Sequence, residues 1–197
     1  MKPATAGYSL LELLTVLAIV GLMALVTLPA FGSLRRQAAM RAAIGEVTWA
    51  LRAARSSAIA RSGHVAVKFQ QLGGVWHYAF IDDGDGDGVR NDDIKSGVDL
   101  RRGAWKELLD PQSIVRIGLP SYLVRDPDTG KPLPKNASAV RFNASTLCSF
   151  GPLGGGTAGS VFFTDSYERV AIVRVTGASG RIRALVYDRG TGTWGEP

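Results

Sequence analysis

Gly7-Tyr8-Ser9-Leu10-Leu11-Glu12 stands directly before a run from Leu13 to Gly32 that holds no charged residue. A helix rises about 1.5 Å per residue, so roughly 20 apolar residues reach across the hydrocarbon core of a bilayer. The stretch therefore reads as a membrane-spanning helix over 8–32. A secretory leader would have a shorter apolar region ending in small residues of the Ala-x-Ala type. Here the run is longer, and its end, Leu28-Pro29-Ala30-Phe31, is a poor match. Glu12 is the anomaly, because a carboxylate at the edge of such a run costs a few kcal/mol, on the order of 3, unless it finds a partner.

Past Pro29 the pattern stays helical over 33–62 and turns amphipathic. Ala38, Ala42, Val47, Trp49, Leu51, Ala54, Ala58 and Ile59 supply an apolar stripe at spacings of three and four. The spacing predicts a helix to Arg61, with Gly63 as its stop signal. The arginines at 35, 36, 41, 52, 55 and 61 read as a solvated face, with a nucleic-acid surface as the alternative. After Gly63 the period becomes that of strands. His64–Gln70 and Val75–Ile81 flank Gly73-Gly74, a hairpin signature. Further strands are expected at Ser113–Gly118, Ala139–Phe142, Ser160–Thr164, Arg169–Thr176 and Arg181–Tyr187. Composition marks Asp126–Pro134 and Gly151–Gly159 as loops. A long helix followed by many short strands is α+β, with the helix packed on a C-terminal antiparallel, sandwich-like domain over 63–197.

Without the first 32 residues, about 165 of the 197 remain, enough for a single domain with a core. The formal charge is +6, compatible with anionic partners without identifying one. Cys148 is the lone cysteine, so no internal disulfide can form; it reads as a small buried apolar residue. Gly154-Gly155-Gly156 lacks the Lys-Ser/Thr and following helix of a phosphate-binding loop. His64 and His77 have neither a nucleophile partner nor metal-ligand spacing, and Asp165-Ser166 reads as a turn, so the chain is expected not to be an enzyme.

The N-terminal motif resembles the type III signal of the type IV pilin superfamily: a short polar leader ending in Gly, an apolar or aromatic residue after the cut, and Glu four residues beyond it. The resemblance implies a leader of 1–7, cleavage between Gly7 and Tyr8 by a prepilin peptidase, methylation of the Tyr8 amine, and retention of the helix. Removal of Lys2 with the leader would take the charge from +6 to +5. In a bundle of such helices each N-terminal amine lies near a neighbouring subunit, where an ion pair with Glu12 would favour assembly. A simple single-pass anchor with Glu12 at the interface is the alternative. Flanking Lys and Arg, counted alone, slightly favour the leader outside; the resemblance places it inside and the large domain outside the inner membrane.

The C-terminal part is similar to the GspH/FimT family of minor pilins and pseudopilins. The resemblance rests on the hairpin from Val75 to Asp82, the acidic loop after it, Phe150-Gly151-Pro152, Gly159–Phe163 and Gly180-Arg181-Ile182-Arg183. It implies a helix on a small β-sandwich in a subunit of an inner-membrane-assembled filament, with other pilins as partners, serving type II secretion or a type IV pilus.

Two clusters carry ligand chemistry. Counting from Asp83, the carboxylates Asp83, Asp85 and Asp87 fall at positions one, three and five with Gly88 at six, the opening half of an EF-hand loop. Asn91 and Asp93 are further candidate calcium ligands. The closing Glu is missing, since position twelve is Ile94, and a solvated acidic turn is the alternative. Strand alternation puts Arg181 and Arg183 on one face, with Arg169 and Arg174 on the preceding strand. A Gly-Arg-x-Arg motif here is similar to that of family members linked to DNA uptake, which implies a DNA receptor as the rival function; a plain arginine face on a hairpin is the other reading.

Overall fold

The computed structural model describes residues 9–110, 112–134, 137–165, 167 and 169–197, with the backbone alone for 26–30. Helix α1 runs Leu10–Arg61. It ends in a Schellman closure, in which Ser62 adopts a left-handed φ of 52°. The Gly63 N–H then bonds the Ala58 carbonyl at 3.1 Å, and the Ser62 N–H bonds Ile59 at 3.2 Å. The left-handed position thus falls on Ser62, one residue before the expected glycine.

The chain divides into two compact units, 1–38 and 39–197. In the first, the large apolar side chains described, from Leu10 (80% exposed) to Leu25 (72%), are open to the surroundings. Among the described residues, no helix is long and apolar enough to cross a membrane. Gly7 and Tyr8 lie outside the described residues. Glu12 sits exposed in the first turn of α1, and its carbonyl accepts the Thr15 hydroxyl at 2.8 Å.

In the second unit, α1 buries Met40, Ala43, Ile44, Val47, Ala50, Leu51, Ala54 and Ala58. This is the stripe that 3.6-residue periodicity traces on one side of a helix. Ala38, Ala42, Trp49 and Ile59, expected on the apolar stripe, lie outside the buried one and are exposed. The alanines of this face allow close approach to two antiparallel sheets. The first sheet contains β1 (Val65–Leu72), β2 (Val75–Asp82), β3 (Leu100–Glu107) and β6 (Leu147–Phe150), in the order β3-β2-β1-β6. The expected hairpin is present: Leu72 pairs with Val75, and Gly73 and Gly74 take φ of 59° and 82°, as a two-residue turn of this hand requires.

The second sheet contains β4 (Val115–Ile117), β5 (Val140–Phe142), β7 (Gly159–Asp165), β8 (Val170–Thr176), β9 (Arg181–Asp188) and β10 (Thr193–Gly195). Its order is β10-β9-β8-β7-β4, with β5 also on β7. One core joins the helix stripe to Val67, Phe69 and Tyr78 of the first sheet and to Val161, Phe163, Ala171 and Val173 of the second. The opposite face of the first sheet is covered by the segment carrying Val89 and the short helix α2 (Asn91–Ser96). That of the second is covered by Leu119, Tyr122, Val124 and Leu133. Cys148 is fully buried in the main core, and burial pushes its thiol up against the weak pull of the Thr157 carbonyl.

Candidate functional site

The acidic loop begins where β2 leaves the sheet. Asp83, Asp85 and Asp87 each bring a carboxylate oxygen into one cluster, all within 4.8 Å of one another. Asp83 organises the turn: one oxygen accepts the Gly86 N–H at 2.8 Å, the other accepts the Gly88 N–H at 3.0 Å and lies 3.1 Å from His64 Nδ1. Burial pushes the Asp83 carboxyl up, but these donors outweigh it and hold it below the usual carboxylate range. Asp87 is shifted the other way, because desolvation and the Asp85 carboxylate outweigh the guanidinium of Arg90, which bonds it directly.

Asn91 and Asp93 follow at the start of α2, and the Asp93 carboxylate is among the charges that push Asp87 up. Asn91 opens α2, and its Oδ1 accepts Lys68 Nζ at 2.6 Å. Asp93 uses its backbone carbonyl to accept the Val98 and Asp99 N–H groups at 2.9 and 3.1 Å. The loop thus gathers three carboxylates where calcium takes roughly 6–8 oxygens. A residue the sequence reading passed over closes it. Asp99, 2% exposed, accepts the Gly84 N–H at 3.1 Å and the Arg90 N–H at 2.9 Å, tying both ends of the turn together. A lone Asp after a glycine-ended helix carries no such signal in sequence.

The four arginines of the second sheet meet different fates. Arg174 and Arg183 are direct cross-strand partners, an arrangement of like charges that needs compensation. Two aspartates of the covering loop supply it. Arg174 bonds Asp126 at 2.7 Å and Asp128 at 2.8 Å, and Arg183 bonds Asp128 at 2.9 Å. Burial pushes Asp126 up, but Arg174, with the Thr129 and Asp128 N–H groups, holds it below the usual range. Arg181 is exposed at the start of β9, and Arg169 is exposed just before β8. The Gly-Arg-x-Arg segment has a structural reason as well. Gly180 takes φ 57°, and a Cβ there would fall 1.9 Å from the Gly154 carbonyl oxygen. That same carbonyl accepts Arg55 Nε at 2.9 Å, while Arg55 Nη2 bonds the Ser179 carbonyl at 3.2 Å. Arg55, expected on a solvated face, therefore pins the glycine-rich loop and the β8–β9 turn to the helix.

The histidines have local partners: His64 joins Asp83, and His77 Nδ1 lies 3.0 Å from the Val75 carbonyl. Asp165 closes the β7–β8 turn by accepting the Tyr167 and Arg169 N–H groups, both at 2.9 Å.

In the 39–197 unit the helix closes one core with two antiparallel sheets. The family model for the type II transport protein GspH matches residues 43–180, from the buried helix stripe to the β8–β9 turn, and the chain belongs to that family. No curated protein and no solved structure gives a significant match. Membership assigns it in general terms to the pseudopilins and minor pilins, whose part in type II transport is structural.

Proposed function

We propose that the chain is a minor subunit of an inner-membrane-assembled filament, processed between Gly7 and Tyr8 and held by the 8–32 helix in the membrane until it enters the filament. The observation that carries the reading is the joint motif: a family match that begins inside α1, on a helix whose N-terminal extension is an uncharged run preceded by Gly7 and Glu12. The extent of that run, roughly the 20 residues a bilayer crossing needs, supports a single span. The exposed apolar side chains from Leu10 to Leu25 support burial in lipid or among neighbouring helices. Glu12 then pairs with the amine of an adjacent subunit, and the 39–197 unit is extracytoplasmic. In this setting the 82–93 loop is a surface element in which Asp83, Asp85 and Asp87 hold a structural calcium ion weakly. The DNA-receptor reading has less support, since two of its four arginines are already ion-paired.

The test is intact mass measurement of the full chain co-expressed with a prepilin peptidase. Expected are loss of residues 1–7 and one added methyl group, both abolished in Gly7→Val. A chain that keeps its leader, or is cut elsewhere, would refute the reading.

A further inference from the structure

A cavity of about 620 Å³ in the 39–197 unit lies along α1, lined by the helix, Ala184 of β9 and Pro197. Arg41 and Arg52 both line it. Eleven residues of helix separate them by about three turns, on the order of 16 Å, and bring them to nearly the same angular position. Neither arginine makes an ion pair or hydrogen bond among the described residues; the lining holds no Asp or Glu side chain, and its acidic group is the terminal carboxylate of Pro197, which pairs with neither. Trp49 lies between them, 54% exposed, its ring held edge-on to Phe80 at 6.2 Å. Gly45 leaves the floor open, with nothing within 4 Å of where a Cβ would sit.

We infer that this groove docks an acidic helix of a different protein chain, two of whose carboxylates, about three turns apart, pair with Arg41 and Arg52 over the Trp49 ring. The partner class follows from charge complementarity. A second copy is excluded on the same ground. The carboxylates of α1 are Glu12 and Glu46, about 50 Å apart along a helix, and Glu46 already accepts Tyr78 at 2.5 Å and Lys106 at 2.6 Å. The inference rests on the filament-subunit reading for its biological setting, since a filament supplies neighbouring chains of other sequence.

The experiment uses the full chain in detergent micelles and fluorescein-labelled helical peptides read by anisotropy at low salt. One peptide carries two Glu residues eleven apart on an otherwise neutral helix, a second carries them five apart on opposite faces, and a third replaces the first peptide's Glu with Lys. The eleven-spaced Glu peptide should bind at least tenfold more tightly than the five-spaced one. Arg41→Glu with Arg52→Glu should weaken it at least tenfold and let the Lys peptide bind instead; Arg41→Ala with Arg52→Ala should lose the first without gaining the second. Equal binding of the two Glu peptides, indifference to these substitutions, or no binding overturns the inference. So does concentration-dependent self-association that Arg52→Glu abolishes. Failure of Gly7 processing would refute the filament reading while leaving peptide binding unchanged, so the two failures are distinguishable.

Discussion

Gly180→Ala is the substitution for which the geometry makes the sharpest demand. At φ 57° an L-residue pays the left-handed penalty, about 1–2 kcal/mol. Its methyl carbon would also stand 1.9 Å from the Gly154 oxygen, a backbone atom that cannot rotate away, so the loop must retreat. Retreat stretches the 2.9 Å bond from Arg55, a charged donor whose loss costs about 1.5 kcal/mol at the lower end of its range, taken here because the site is only partly buried. Together the change should cost about 3 kcal/mol. Urea unfolding of the full chain in detergent micelles, followed by tryptophan fluorescence, should show the midpoint falling by about 1–2 M at ordinary urea sensitivity. Arg55→Ala should lose roughly half as much, and Arg181→Ala, an exposed neighbour, should stay within about 0.5 kcal/mol. A Gly180→Ala midpoint within about 0.2 M of the parent would refute the close-packing argument.

The strap over the second sheet should be acid-sensitive. Asp126 has its folded pKa below the unfolded value near 3.9, so its contribution is fully present above that value and is lost as pH falls through the folded pKa; Asp126→Asn should lower stability at neutral pH and flatten this acid limb, and an unchanged acid limb would contradict the ion-pair account. The acidic loop should bind calcium only weakly, at about 10⁻⁴–10⁻³ M, the weak end of the range that ligand charge count and site rigidity set. Thermal unfolding with and without millimolar calcium should show a small upward shift in the parent and none in Asp85→Asn with Asp87→Asn; a shift that survives this substitution would place the ion elsewhere.

How far the structure could be read in advance depended on which forces were local. The hairpin at Gly73-Gly74 and strands β7 to β9 were legible because their apolar residues are buried or, in β9, half-buried and bounded by turn chemistry. Strand β3 was not, for Leu100 to Glu107 is an exposed edge whose arginines and lysine show no alternation; it exists because β2 offers it a ladder, with Asp82 bonding Arg102 across the pair. The helix stripe was legible in type but displaced by a residue at several points, since alanines occur on both faces and only packing decides between them. Of the candidate clusters, the three aspartates at odd positions were readable from spacing alone. The neutralisation of Arg174 and Arg183 was not, because Asp126 and Asp128 lie some fifty residues away in sequence and reach them only through the fold.

The shared core has a consequence for biosynthesis. Met40 to Ala58 leave the ribosome early, whereas Ala171 and Val173, which seal the same core, come more than a hundred residues later. At roughly 5–20 residues per second the helix stripe, with β1 and β2 beside it, waits on the order of 6–20 s for the last strands of its core. An early-made strip of small apolar residues must stay unaggregated until the last strands arrive, so chains cut short before β8 would keep a core open on the side of the second sheet and become substrates for proteases.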